Sequence, residues 1–163
     1  MTTLQKDILA ILSDDARLNA RQIAAMLSTD EKTVQGESAD LEKTGVIVKY
    51  TTIVNAEKAD DVPVEALIEV KVTPKSKEGF DGIAKQIAAF DEVQSVYLMS
   101  GAYDLAVFIS DKTLQQLARF VSERISTFDG VLSTATHFIL KKYKIEGAVT
   151  EKADEDRRIL VQA

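Results

Sequence analysis

The chain has 163 residues, 45% of them hydrophobic, a formal net charge of −6 and no cysteine. That apolar share is enough for real cores. No run approaches the ~18 apolar residues of a membrane helix, and without thiols there is neither a disulfide framework nor a thiolate metal site or nucleophile. The negative charge argues against a protein that grips polyanions by bulk charge, because non-specific DNA affinity comes from Lys and Arg neutralising phosphates.

The chain starts without a basic region followed by a long apolar core, so no secretory signal and no membrane partner are expected, and the expected compartment is cytoplasmic. Leu4, Ile8, Ile11 and Leu12 then form a one-sided helical stripe that ends in the polar turn Ser13-Asp14-Asp15. Asn19 is a good N-cap for a second helix presenting Ile23, Ala24, Met26 and Leu27. Ser28-Thr29-Asp30 offers caps for a third helix over residues 31–43, closed by Gly45. Three short helices with a tight turn between the second and third make a helix-turn-helix pattern. The β-branched run over residues 46–54 suits a strand leading out of this head.

From residue 64 onward strand-like and helix-like segments alternate as βαββαβ. Strands are expected over residues 64–72, 93–99, 105–110 and 131–140. The intervening helices cover 79–90, burying Phe80, Ile83, Ala84 and Ile87, and 113–127, with Leu114, Leu117, Phe120, Val121 and Ile125 inward. The fold class is therefore α+β: an N-terminal three-helix helix-turn-helix head (1–54), a strand linker (55–63) and a C-terminal ferredoxin-like βαββαβ domain (64–146). A mobile charged tail is expected over 147–163. Leu67, Val96, Leu98, Val107 and Phe108 supply apolar side chains to both faces of the sheet, so a second copy is its simplest cover and a two-fold homodimer follows.

The most informative stretch is Ser100-Gly101-Ala102-Tyr103-Asp104, which joins two strand-like runs. A glycine lets backbone approach a ligand, exposed turn N–H groups hold a carboxylate, and Asp104 is placed to pair with an α-ammonium. An amino acid offers both groups. Gly101, Tyr103 and Asp104, with Ser133, Thr134 and Thr136 from the last strand, form the expected effector site. The alternative is that Asp104 only satisfies turn N–H groups and Tyr103 packs between subunits.

Catalytic and metal readings find little support. His137 is the lone histidine, set in an apolar strand, where a core or interface role is the ordinary one. Ser133 follows no nucleophile-elbow pattern, no phosphate-binding glycine loop occurs, and Glu65 and Glu69 read as rim charges of a dimer. No enzyme activity, metal or cofactor is expected.

Three segments together resemble the Lrp/AsnC, or feast/famine, regulators over nearly the whole length to about Tyr143. They are Asp14-Asp15-Ala16-Arg17-Leu18; Leu41-Glu42-Lys43-Thr44-Gly45-Val46-Ile47 with Tyr50-Thr51; and Gly101-Ala102-Tyr103-Asp104-Leu105. The resemblance implies a winged-type helix-turn-helix head on double-stranded DNA. It also implies a C-terminal effector and oligomerisation domain, dimers assembling to tetramers or octamers, and amino acids or related molecules bound between dimers.

The third helix departs from that pattern. Glu37 stands where family members often carry Arg, and Ser38 where they carry a large aliphatic residue; Gly36 beside it costs about 1 kcal/mol relative to Ala. The head to Tyr50 counts six basic residues against eight acidic ones, a net −2. Phosphate contacts are expected from Arg21, Lys32, Lys43 and Lys49, and base or backbone reading from Thr29, Thr33 and Gln35, the alternative being a merely solvated helix face. The residues thus point to an effector-responsive DNA-binding regulator. The competing reading is a small-molecule-binding or assembly protein with a degenerate, weakly DNA-binding head.

Overall fold

The computed structural model describes residues 1–59, 62–74 and 79–150. The chain divides into two compact units, Met1–Ile53 and Val54–Ala163.

The first unit packs α1 (Thr3–Asp14), α2 (Ala20–Leu27) and α3 (Glu31–Lys43) around Ile8, Ile23, Ala24, Val34 and Leu41. Each helix starts where a short polar side chain satisfies otherwise unpaired N–H groups. Thr2 and Asn19 build reciprocal capping boxes with Gln5 and Gln22, and the Asp30 carboxylate accepts from Thr33 N–H at 2.9 Å. Ser28 closes α2 in the left-handed conformation (φ 53), and Thr29 N–H returns to the Ala24 carbonyl at 3.0 Å. Gly45, at φ 73, ends the helical run; Val46 and Ile47 N–H both donate to the Leu41 carbonyl, at 2.9 and 3.0 Å. Met26, expected to face inward, is 60% exposed, because the buried stripe of α2 is carried by Ile23 and Ala24.

The strand expected over residues 46–54 is absent. Val46 and Ile47 bend back onto the Leu41 carbonyl, residues 48–54 join no ladder, and Val48, Ile53 and Val54 are exposed. Propensity alone makes no strand: the ladder needs a partner, and among the described residues this segment has none. Residues 56–58 instead turn as a short 3-10 helix.

The second unit runs β1 (Val64–Val72), α4 (Asp81–Ala88), β2 (Val93–Leu98), β3 (Leu105–Asp111), α5 (Leu114–Phe120), β4 (Val131–Phe138), then the short strands β5 (Lys144–Ile145) and β6 (Ala148–Val149). The four long strands form one antiparallel sheet in the order β2-β3-β1-β4. Residues alternate between its faces. Ala66, Ile68, Val70 and Val72 of β1 and Leu105, Val107 and Ile109 of β3 are buried with Ile87 of α4 and Leu117, Phe120, Val121 and Ile125 of the second helical segment. After Phe120 that helix widens into a π-helical stretch, Val121–Ile125. Leu114, expected inward, is 53% exposed in its first turn.

The other face carries Leu67, Glu69 and Lys71 of β1, Tyr97 of β2, Phe108 of β3 and His137 of β4, with the Tyr97 and Phe108 rings edge to face at 6.0 Å. Residues 147–150, expected in the tail, belong to a hairpin instead. Glu146 and Gly147 turn it at φ 44 and 87, and Thr150 is held by N–H donation to the Tyr143 carbonyl and by the Asn55 amide, at 3.1 and 2.9 Å. The rest of the expected tail lies outside the described residues.

Candidate DNA-reading helix and effector turn

Val34 and Leu41 anchor α3 in the head core, at 0% and 1% exposure, so phase alone turns Lys32 and Gln35 outward. Thr29, Lys32, Thr33 and Gln35 are thereby brought together at the N-terminal end of α3. Thr29 is half-buried in the turn and Lys32 is exposed. Thr33 is already engaged: its hydroxyl donates to Asp30 at 2.5 Å. The Gln35 amide reaches back to Glu31 at 3.1 Å. Hydrogen bonds from the Thr33 hydroxyl and then its N–H hold the Asp30 carboxyl below its ordinary pKa, so the cap is charged at neutral pH. Lys43 lies in the last turn of α3, about 12 Å along the axis from Gln35 at 1.5 Å per residue. Lys49 follows in the irregular segment after α3, and Arg21 is exposed in the first turn of α2. Lys32 and Lys43 thus stand in the first and last turns of α3.

The head also holds an ion pair and a hydrogen bond to α3. Asp15 and Arg17 form a two-pronged pair, Nε to Oδ1 and Nη2 to Oδ2 both at 3.0 Å, with Arg17 N–H also on Oδ1. Those bonds pull the Asp15 carboxyl down to about 2. Tyr50 donates its hydroxyl to Glu42 of α3 at 3.0 Å; partial burial first, and the neighbouring carboxylate second, hold the phenol above its ordinary range. No residue pattern pointed to the Tyr50–Glu42 bond, since its partners lie eight apart across the end of a helix.

In the sheet unit, Asp104 sits just before β3. Its N–H donates to the Val70 carbonyl at 3.1 Å, its own carbonyl accepts from Met99 N–H at 2.8 Å, and its carboxylate accepts from Val72 N–H at 2.8 Å. The aspartate thus substitutes for a ladder partner at the point where β3 has not yet begun and β1 still runs on to Val72. Gly101 is exposed at φ 154 with open space where a Cβ would stand, and Tyr103 is half-buried.

The residues of β4 are not brought to this turn within one chain. Val70 pairs with Leu105 on one side and Thr134 on the other, which places β4 two strand spacings, about 10 Å, from β3. Alternation separates them further. Thr134 and Thr136 pair with Val70 and Ile68 on the helix-covered face, and the Thr134 hydroxyl meets Ser126 at 3.1 Å, whereas Ser133 faces the open side. His137 also faces the open side, Nε2 3.3 Å from a Glu69 oxygen, and is not a core residue. Lys142 pairs with Glu65 at the neighbouring edge. Among the described residues no three carboxylate or imidazole side chains converge to hold a metal, and no helix is long and apolar enough to cross a membrane.

A model of the Lrp/AsnC ligand binding domain matches residues 65–149. An HTH-type transcriptional regulator of Bacillus subtilis, YugG, is 46% identical over 162 residues, covering 99% of this chain and 98% of that protein. Among solved structures, the leucine response regulatory protein of Mycobacterium tuberculosis superposes with a TM-score of 0.75 at 19% identity, covering 93% of this chain and 100% of that one. A transcriptional regulator of Neisseria meningitidis, crystallised as its L-Met complex, does so at 0.70 and 20%, covering 89% and 93%. These two show the fold; the first two show descent. The chain belongs to the Lrp/AsnC family of HTH-type transcriptional regulators, which are DNA-binding, ligand-binding proteins and not enzymes.

Proposed function

We propose that this regulator reads double-stranded DNA with α3 as the recognition element of a helix-turn-helix, and answers to an amino acid held by a ferredoxin-like domain. It works as a cytoplasmic homodimer that assembles to a tetramer or octamer. The observation that carries the reading is the polar N-terminal end of α3, where Lys32 and Gln35 face outward beside Thr29 of the preceding turn on a helix whose opposite stripe is buried. Lys32 at that end, Lys43 and Lys49 at and beyond the other end of α3, and Arg21 of α2 contribute phosphate contacts. Thr33 acts mainly through the Asp30 cap, which fixes where the helix begins.

For the effector, the turn at Gly101, Tyr103 and Asp104 supports an amino-acid zwitterion. The Asp104 oxygen not bound to Val72 remains an acceptor for an ammonium, and the exposed backbone at Gly101 suits a carboxylate. The L-Met complex of the Neisseria relative supports this class. Ser133, Thr134 and Thr136 lie too far from the turn to complete one pocket with it, so their part in effector binding requires a second copy beside the first.

A specific observation favours a second reading: α3 itself carries Glu31, Glu37, Asp40 and Glu42 against Lys32 and Lys43. An acidic recognition helix suits a ligand-binding partner in mixed assemblies with weak DNA affinity. Salt-dependent binding of the purified protein to its own upstream region, with and without the twenty amino acids, separates the two. Affinity that falls as salt rises and shifts with one amino acid supports the regulator. An amino acid that binds calorimetrically with no DNA binding at low salt supports the second reading.

A further inference from the structure

The head contains an open cleft of about 360 Å³, floored by Leu12, Leu18 and Ile23 and rimmed by Ser38, Glu42 and Tyr50, all within the compact unit Met1–Ile53. Its origin lies in α3. Val34 and Leu41 are fully buried, and Ser38 falls between them on the same stripe, four residues after the first and three before the second. A hydroxymethyl group there stops short of the space an aliphatic side chain would fill, and Ala16, Ala20 and Ala39 around it are equally short. Leu12 and Leu18 are left partly exposed here, while Ile23 is buried at 2%. The cleft's volume lies within the ~300–1,000 Å³ of small-molecule sites.

The polar side of the cleft has one sign. Glu42 is the carboxylate of the lining, and no Lys or Arg stands with it. Its Oε1 accepts the Tyr50 hydroxyl at 3.0 Å, which leaves Oε2 for a second donor. The head as a whole is net −2 over its first fifty residues, six basic against eight acidic, so the surrounding field also favours a cation.

We propose that this cleft binds a small amphipathic amine, its aliphatic or aromatic body on Leu12, Leu18 and Ile23 and its ammonium between Glu42 and Tyr50. An apolar surface closed at one end by a carboxylate and a phenol recognises that combination and disfavours anions. Such a site is separate from the turn at Asp104, which lies in the other unit. Gln35 both lines the cleft and belongs to the exposed end of α3, so an occupant touches the DNA-reading helix directly. That last link rests on the proposed DNA-reading role; the binding site does not.

The test uses the full chain with 2-phenylethylamine and its neutral counterpart 2-phenylethanol, followed by methyl NMR and calorimetry. The amine is expected to shift the methyl signals of Leu12, Leu18 and Ile23 and to leave those of Leu117 and Ile125 in place. Ser38→Leu, which fills the floor, is expected to lower amine affinity tenfold or more. Glu42→Gln, on the exposed rim, is expected to do the same for the amine while leaving the alcohol unchanged. No methyl shift at millimolar amine, or unchanged affinity in Ser38→Leu, overturns the site. Equal binding of amine and alcohol, indifferent to Glu42→Gln, overturns the choice of a cation. If the amine binds at these methyls yet leaves DNA affinity unaltered, the link to α3 falls and the site stands.

Discussion

The Asp104 carboxylate accepts the backbone N–H of Val72 at 2.8 Å, bridging from the start of β3 to the end of β1 where the regular ladder between them has run out. This bond gives one side chain two tasks, closing the sheet end and presenting a charge at the turn.

Asp104→Ala leaves the part-buried Val72 N–H unpaired, and a lost partner of this kind costs about 1 to 3 kcal/mol. Urea denaturation is expected to show that loss with the fold intact. Asp104→Asn, which keeps an acceptor oxygen, is expected to recover most of the stability but not the pairing with an ammonium. Amino-acid affinity measured by calorimetry should therefore fall in both variants, by about 1.5 to 3 kcal/mol. Full effector affinity in Asp104→Asn would reduce Asp104 to a sheet cap.

Ser38→Ile extends the apolar stripe between Val34 and Leu41 into the cleft above Leu12 and Ile23. Stabilisation by roughly 1 kcal/mol is expected from the apolar area it removes from water. Thermal unfolding of the variant checks it, and a lowered midpoint would mean that the hydroxyl serves a partner.

The pair between Asp15 and Arg17 carries a pH signature. The Asp15 carboxyl is lowered from 3.8 to about 2, first by the Arg17 side chain and then by its backbone N–H. A carboxyl depressed in the folded state contributes stability above its unfolded pKa and loses it as pH falls through the folded one, here between about 3.8 and about 2. Carbon-detected NMR titration is expected to place the Asp15 midpoint near 2, and Arg17→Ala to move it up toward 3.8. A midpoint unchanged in the variant would assign the shift to the backbone alone.

The open sheet face, with Tyr97 against Phe108 and Leu67 alongside, is the surface expected to meet a second copy. A fragment spanning residues 62–150 retains the whole sheet core and should dimerise at micromolar concentration. Phe108→Asp, which points away from that core, should weaken the dimer on the order of tenfold or more without unfolding the chain. Sedimentation equilibrium decides: a monomeric wild-type fragment removes this face as the interface.

The local signals of this chain were legible because they are carried by neighbours in sequence. Asn19 and Asp30 start their helices through side chains that reach three residues ahead, Gly45 stops one through its backbone freedom, and the alternation over residues 64–72 sorts β1 into a buried and an open face. Spacing also singled out Ser38 as a polar residue on an apolar stripe. What the tertiary structure decided are relationships between distant residues. Residues 46–54 are rich in β-branched side chains but have no ladder partner within the described chain, so they form no strand. Thr134 and Thr136 suit a ligand by type, yet alternation and an intervening strand hold them away from the effector turn. Asp104 suited both a ligand and a turn, and only the placement of Val72, 32 residues earlier, showed that the sheet already uses one of its oxygens. Propensity and periodicity are properties of a segment; pairing, facing and satisfaction of a buried N–H are properties of the folded whole.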